Sequence, residues 1–182
     1  MARLLERYQN EIRPALQEEL GIGNPMAIPK LSKVVVSMGT GSPTVDRHRY
    51  GAAVADMARI TGQKPRMRRA YKSVSNFKLR EGNEVGCQVT LRGKRMYEFV
   101  DRLINAAIPR LRDFRGLNPR SFDGRGNYSL GIADQSIFAE IDVGKITYNQ
   151  GMNVTFVTTT TTDAHARTLL TKLGMPFRKE EE

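Results

Sequence analysis

A chain of 182 residues, 40% apolar and 26% charged, is long enough to close one hydrophobic core of ordinary size. Its formal charge of +10 and pI near 10 direct attention to a polyanionic partner, either nucleic acid or an anionic membrane surface. No run of about 18 apolar residues is present to span a bilayer, the N-terminus lacks a leader-like apolar segment, and a lone cysteine, Cys87, excludes an internal disulfide; the chain reads as soluble and unexported.

In chain order, Leu4, Leu5, Tyr8 and Ile12 recur at helical spacing, and Pro14 predicts the start of a second short helix carrying Leu16 and Leu20 and stopped by Gly21. These N-terminal helices occupy 2–20. "KLSKVVVSM" alternates, with Val34, Val36 and Met38 on one face and Lys33, Val35 and Ser37 on the other, as in a strand with a partly polar outer side. "DRHRYGAAVADMARITG" predicts a helix with Asp46 as N-cap, a stripe of Tyr50, Val54 and Met57, and Gly62 as its stop. "PRMRRA" predicts a strand leading into a basic loop over 71–84. "VGCQVTLR" then places Val85, Cys87, Val89 and Leu91 on one side and Gly86, Gln88, Thr90 and Arg92 on the other.

Met96, Phe99, Val100, Leu103 and Ile104 mark the strongest helix pattern, closed by Pro109. The stretch 110–127, rich in Gly, Pro and Arg, predicts a long ordered loop anchored by Phe114 and Phe122. A short strand around Tyr128, Leu130 and Ile132 and a β-branched strand with Met152, Val154 and Phe156 inward follow. Asp163 is the predicted cap of a last helix with Ala166, Leu169, Leu170 and Leu173 inward, ended by Gly174. The order of elements predicts a single α+β domain over 1–182: a predominantly antiparallel or mixed sheet, helices packed on one face, and a long basic loop.

Motifs for catalysis are weak. "MGTGSP" has Gly-x-Gly between strand and helix, but the third fingerprint glycine would fall on Thr44 and no Gly-Lys-Ser/Thr follows. His48 and His165 have no second His or Cys at ligand spacing, and no Gly-x-Ser-x-Gly is present. Asp123, beside Gly124, is a turn former rather than an acid catalyst. Cys87, on the apolar side of its strand, is expected to be a reduced core thiol. No catalytic residue, metal or cofactor is therefore predicted.

Charge is the informative feature. Residues 62–125 hold sixteen Lys or Arg against six Asp or Glu, and within 62–82 the ratio is seven to one. A solvated face of a globular protein mixes both signs, so the one-signed segment favours an RNA- or DNA-contacting arm, with Tyr71 and Phe77 able to stack on bases or anchor the loop. Docking of an acidic protein is the competing reading; an interfacial membrane helix would need a continuous apolar face, which this stretch lacks.

"TGQKP", "KSVSNFKLREG", "GCQVTLRG", "RLRDFRGLNPRSFDGRGNYSLG" and "LGMPFRK" occur in an order and over a length that resembles the bacterial large-subunit ribosomal protein L-five family, which binds 5S rRNA in the central protuberance. The resemblance implies a non-enzymatic constituent of the cytoplasmic ribosome whose partners are 5S rRNA, large-subunit rRNA, P-site tRNA, neighbouring large-subunit proteins and a small-subunit head protein, with no membrane. It assigns rRNA binding to Lys33, Ser37, Gly39, Gln63, Lys64, Thr90 and Arg92. A tRNA-contacting loop would use Arg68, Lys72, Ser73, Ser75, Asn76, Lys78 and Arg80. An intersubunit bridge region would include Arg112, Arg115, Arg120 and Arg125. The acidic tail 180–182 is expected to be disordered and repelled from RNA.

Overall fold

Where apolar residues alternate, strands form. The computed structural model, which describes residues 2–41 and 47–178, has strands β1 (Leu31–Gly39), β2 (Arg66–Arg69), β3 (Glu84–Leu91), β4 (Tyr128–Ile132) and β5 (Met152–Thr158). They form one antiparallel sheet in the order β2-β3-β1-β5-β4. Helices α1 (Arg3–Arg7), α2 (Arg13–Glu19), α3 (Arg47–Thr61), α4 (Gly93–Arg102) and α5 (Asp163–Lys172) complete the predicted α+β architecture. The chain divides into two compact units: one comprises the residues up to Val34, Leu91–Leu130 and those from Thr155 on, the other Val35–Thr90 and Gly131–Val154.

In the first unit, Leu4, Tyr8, Ile12 and Leu16 form the buried stripe of the N-terminal helical segment. The two separate helices expected there are one continuous run, because a π-helical turn over Tyr8–Ile12 joins α1 to α2. Proline has no backbone donor and crowds the preceding turn; widening that turn, with the Arg13 amide bonded to the Tyr8 carbonyl, accommodates Pro14 without breaking the helix. α1 packs on α4, where Met96, Phe99 and Val100 are buried; Leu103 and Ile104 continue the stripe through a π turn, and Pro109 lies in the 3-10 turn that ends it. Ala166, Leu169, Leu170 and Leu173 of the α5 region complete this core with Tyr128 and Phe156. The Tyr8 hydroxyl donates to the Pro29 carbonyl at 2.9 Å, and burial pushes the Tyr97 and Tyr128 phenols up to about 12.

In the second unit, α3 buries Ala53, Met57 and Ile60, whereas Tyr50 and Val54 of the expected stripe are only half-buried. Helical spacing is kept, but the face is turned by about one residue. Gly62 takes φ 65° and stops the helix as predicted, while Asp46 lies outside the described residues. Val36, Met38, Cys87 and Val89 supply the strand side of this core. β1 and β3 approach so closely at Gly86 that any β-carbon there would collide with the Met38 carbonyl. The connection between β4 and β5 is no bare loop: it buries Ile137, Phe138 and Ile141, and the Gln135 side-chain amide donates to the Tyr148 carbonyl at 2.6 Å.

Asp163 corrects the capping expectation. The N-cap of α5 is Thr162, and Asp163, one residue inside, accepts the Gly126 amide on Oδ1 at 2.7 Å and the Gly124 amide on Oδ2 at 3.0 Å. Gly126, at φ 77°, has no room for a side chain against the Thr160 carbonyl, so the loop lies tight on this carboxylate. Replacing Asp163 by Ala should lower stability by about 1–2 kcal/mol in urea unfolding, as expected when a charge-assisted acceptor is removed from the buried Gly126 amide, the exposed Gly124 amide being able to turn to water. An unchanged midpoint would contradict that role. Burial raises the Cys87 thiol to about 11, so at pH 8 it should react with a thiol reagent rapidly only in denaturant; fast reaction of the native chain would show the strand to be open.

Candidate nucleic-acid interface

Alternation that dries one side of a strand leaves the other side to polar residues. On β1, Val34, Val36 and Met38 are buried, and Lys33, Val35 and Ser37 are half-buried toward the opposite side. Gly39 ends the strand exposed, its carbonyl accepting the Gln150 side-chain amide at 2.7 Å. On β3, Cys87, Val89 and Leu91 are buried while Gln88 and Thr90 are half-exposed. Arg92, fully exposed and extended, precedes the first turn of α4. Gln63 and Lys64 follow the Gly62 stop of α3, where the Thr61 hydroxyl donates to the Met57 carbonyl at 2.7 Å and fixes the helix end. Lys64 is exposed and Gln63 half-exposed.

The structure adds β2 to this surface. Its register pairs Arg66 with Gln88 and Arg68 with Gly86, so both arginines stand on the polar side of β3. The Arg68 Nε donates to Gln88 Oε1 at 2.6 Å. Arg68, expected on the tRNA-contacting loop, is thus a strand residue that projects beside Gln88. Arg66 and Gln88 were not singled out from the sequence. The alternation in "PRMRRA" contained the signal, but only the β2–β3 register shows which alternate residues share a face with Gln88.

Beyond β2 the chain forms an arm. Ala70 and residues 82–83 close its base, with the Ala70 amide bonded to the Asn83 carbonyl at 2.8 Å and the Gly82 amide to the Ala70 carbonyl at 3.0 Å. Further out, Val74 and Leu79 exchange two backbone hydrogen bonds of 2.9 and 3.0 Å, and the Lys78 amide closes the intervening turn on the Ser75 carbonyl. The Ser73 hydroxyl accepts the Glu81 amide at 2.9 Å, and Lys78 takes φ 50°. The predicted loop is therefore a hairpin, which places Lys72, Ser73, Ser75, Asn76, Lys78 and Arg80 on exposed positions of a defined backbone.

In the first unit, the stretch after α4 is held from behind. The Leu117 amide donates to the Pro176 carbonyl at 2.8 Å and the Arg178 amide to the Leu117 carbonyl at 2.9 Å. Leu117, not Phe114, is the buried anchor; the Phe122 ring packs, tilted, against Tyr128 at 4.9 Å and Phe177 at 6.0 Å between centroids. Asp123 forms the turn predicted for it: Oδ1 accepts the Arg125 and Asn127 amides, and Oδ2 accepts the Asn127 side chain at 2.6 Å. These hydrogen bonds, the Asn127 side chain foremost, hold its carboxyl below the usual range. Arg112, Arg115, Arg120 and Arg125 all stand exposed on this pinned loop.

A family model for the C-terminal part of the ribosomal L5P family matches residues 84–177, and one for ribosomal protein L5 matches residues 24–80. The chain belongs to the ribosomal protein L5 family. It is 56% identical, over 98% of its length and 99% of the relative's, to the large ribosomal subunit protein uL5 of Rubrobacter xylanophilus, and 55% identical, over 99% and 100%, to that of Heliobacterium modesticaldum. Membership places it among ribosomal proteins rather than enzymes. Among the described residues, no group of side chains is arranged to hold a metal ion and no helix is long and apolar enough to cross a membrane.

Since Arg68, Lys72 and Lys78 are exposed, reversing all three to Glu should preserve the far-UV spectrum and shift Tm by no more than about 5 °C. A collapse of the thermal transition would mean that these side chains serve the core.

Proposed function

We propose that this chain is a structural constituent of the large subunit of the cytoplasmic ribosome, which binds 5S rRNA and attaches it to the central protuberance. The polar sides of β1, β2 and β3 form the rRNA surface, through Lys33, Ser37, Gly39, Gln63, Lys64, Thr90 and Arg92, joined by Arg66, Arg68 and Gln88. The hairpin arm, through Lys72, Ser73, Ser75, Asn76, Lys78 and Arg80, contacts P-site tRNA. The pinned loop carrying Arg112, Arg115, Arg120 and Arg125 contributes to a bridge with a small-subunit head protein, and large-subunit rRNA and proteins surround the remainder. Relatives that carry the name of a large-subunit protein over nearly their whole length support the assembly.

One observation carries the reading: apart from Val35 and Gly86, the strand positions that alternate with the dry core residues are polar or cationic, as at Lys33, Ser37, Arg66, Arg68, Gln88 and Thr90. A second protein layer would want apolar side chains there. A phosphate backbone wants forked and point-charge donors, with small polar groups that allow close approach.

Lys33, Lys64, Arg66, Arg68 and Arg92 could each neutralise one phosphate. Log affinity for 5S rRNA should then fall by about 3.5 to 4.5 for each log unit of salt. Gel-shift titrations at several salt concentrations, against an unrelated structured RNA, test this. Equal affinity for both RNAs, or binding indifferent to salt, would overturn the assignment.

A further inference from the structure

Two large aromatic side chains of the arm face solvent: Tyr71 is 85% exposed and Phe77 71% exposed. Tyrosine carries a hydroxyl that water can satisfy, but phenylalanine has no polar handle and gains nothing from that position in the isolated chain. Phe77 lies in the turn between Ser75 and Lys78, which the Val74–Leu79 backbone pair and the Lys78 amide hold in one shape. Ser73, Ser75, Lys78, Leu79, Arg80 and Asn83 line a shallow, open concavity on the same hairpin. An aromatic ring at the tip of a hairpin that also carries two cations and two hydroxyls is the chemistry that receives a single unstacked nucleotide: the ring covers the base, and Lys78 and Arg80 meet its phosphates.

We propose that Phe77 is a base-stacking residue that takes an unpaired RNA base at the tip of the arm, with the concavity of the same hairpin holding the adjoining backbone. The proposal rests on the reading of the arm as an RNA contact and deepens it, since cations alone would grip any phosphate whereas the ring requires an exposed base. Because the hairpin is already closed by its own hydrogen bonds, little ordering is needed on binding, and the ring is presented in advance.

The chain contains no tryptophan, so a full-length Phe77→Trp variant has a single indole reporter at the tip. It should be titrated at low salt with a hairpin RNA that has an unpaired purine loop, and with the same hairpin carrying abasic riboses in the loop. Quenching by the purine loop and little by the abasic loop is expected. Phe77→Ala should weaken binding of the purine hairpin about tenfold with an unchanged salt slope, and Phe77→Tyr should restore it. Lys78→Gln with Arg80→Gln should reduce the salt slope instead. Equal quenching by both RNAs, or unaltered affinity of Phe77→Ala while the cation variants still weaken binding, overturns the stacking role and leaves the arm as a phosphate contact. If the cation variants also bind like the unaltered chain, the reading of the arm as an RNA contact falls, and the stacking role with it.

Discussion

A sheet that buries one side only leaves every second residue of its strands to the solvent, and this molecule uses that constraint for its chemistry. Val34, Val36 and Met38 of β1 and Cys87, Val89 and Leu91 of β3 are drawn inward by the hydrophobic effect. The pleat then commits Lys33, Ser37, Gln88 and Thr90 to the other side. A shift of one residue would bury Lys33 and expose the valines in β1, or bury Gln88 and Thr90 and expose Val89 in β3, so the stability of the core and the composition of the polar surface are fixed together. Gly86 sharpens the coupling: its lack of a side chain permits the close approach of β1.

The cationic residues therefore need little support of their own. Arg68 is steered by one hydrogen bond to Gln88, and the arm extends the same antiparallel pairing beyond the last ladder of β2 and β3. On the opposite end of the chain's charge-rich middle, the arginine loop is pinned by carboxylates used as acceptors for backbone amides, Asp123 from within and Asp163 from α5. Both carboxylates accept backbone amides of the loop that carries Arg120 and Arg125. In this way a loop rich in glycine holds a defined course.

Much of this was legible in the sequence because it depends on local periodicity. The alternation of β1, the inward Cys87, Val89 and Leu91 of β3, the stripe of α4 and the Gly62 stop are determined within a few residues and appear as the spacing predicts, whereas at the start of β3 Val85 is only half-buried and Gly86 is buried against β1. What escaped depends on partners far along the chain. Pro14 reads as a helix start because the sequence does not show that a π turn can absorb it. Asp163 reads as a cap because capping is local, whereas its partners Gly124 and Gly126 lie nearly forty residues away. Arg66 and Gln88 acquire meaning only from the β2–β3 register, and Gln150, which holds the end of β1, has no periodic context at all. Composition located the charge and alternation the strand, but only the β2–β3 register shows which side of the sheet Arg66 and Arg68 occupy.

The most direct measurement is lysine modification of the chain alone and in complex with 5S rRNA, read residue by residue by mass spectrometry. Lys33 and Lys64 should lose most of their reactivity in the complex, while Lys145, 76% exposed and paired with Asp142, should keep it. Undiminished modification of Lys33 and Lys64 in the bound state would show that the RNA lies elsewhere and that the polar side of the strands is only a wet surface.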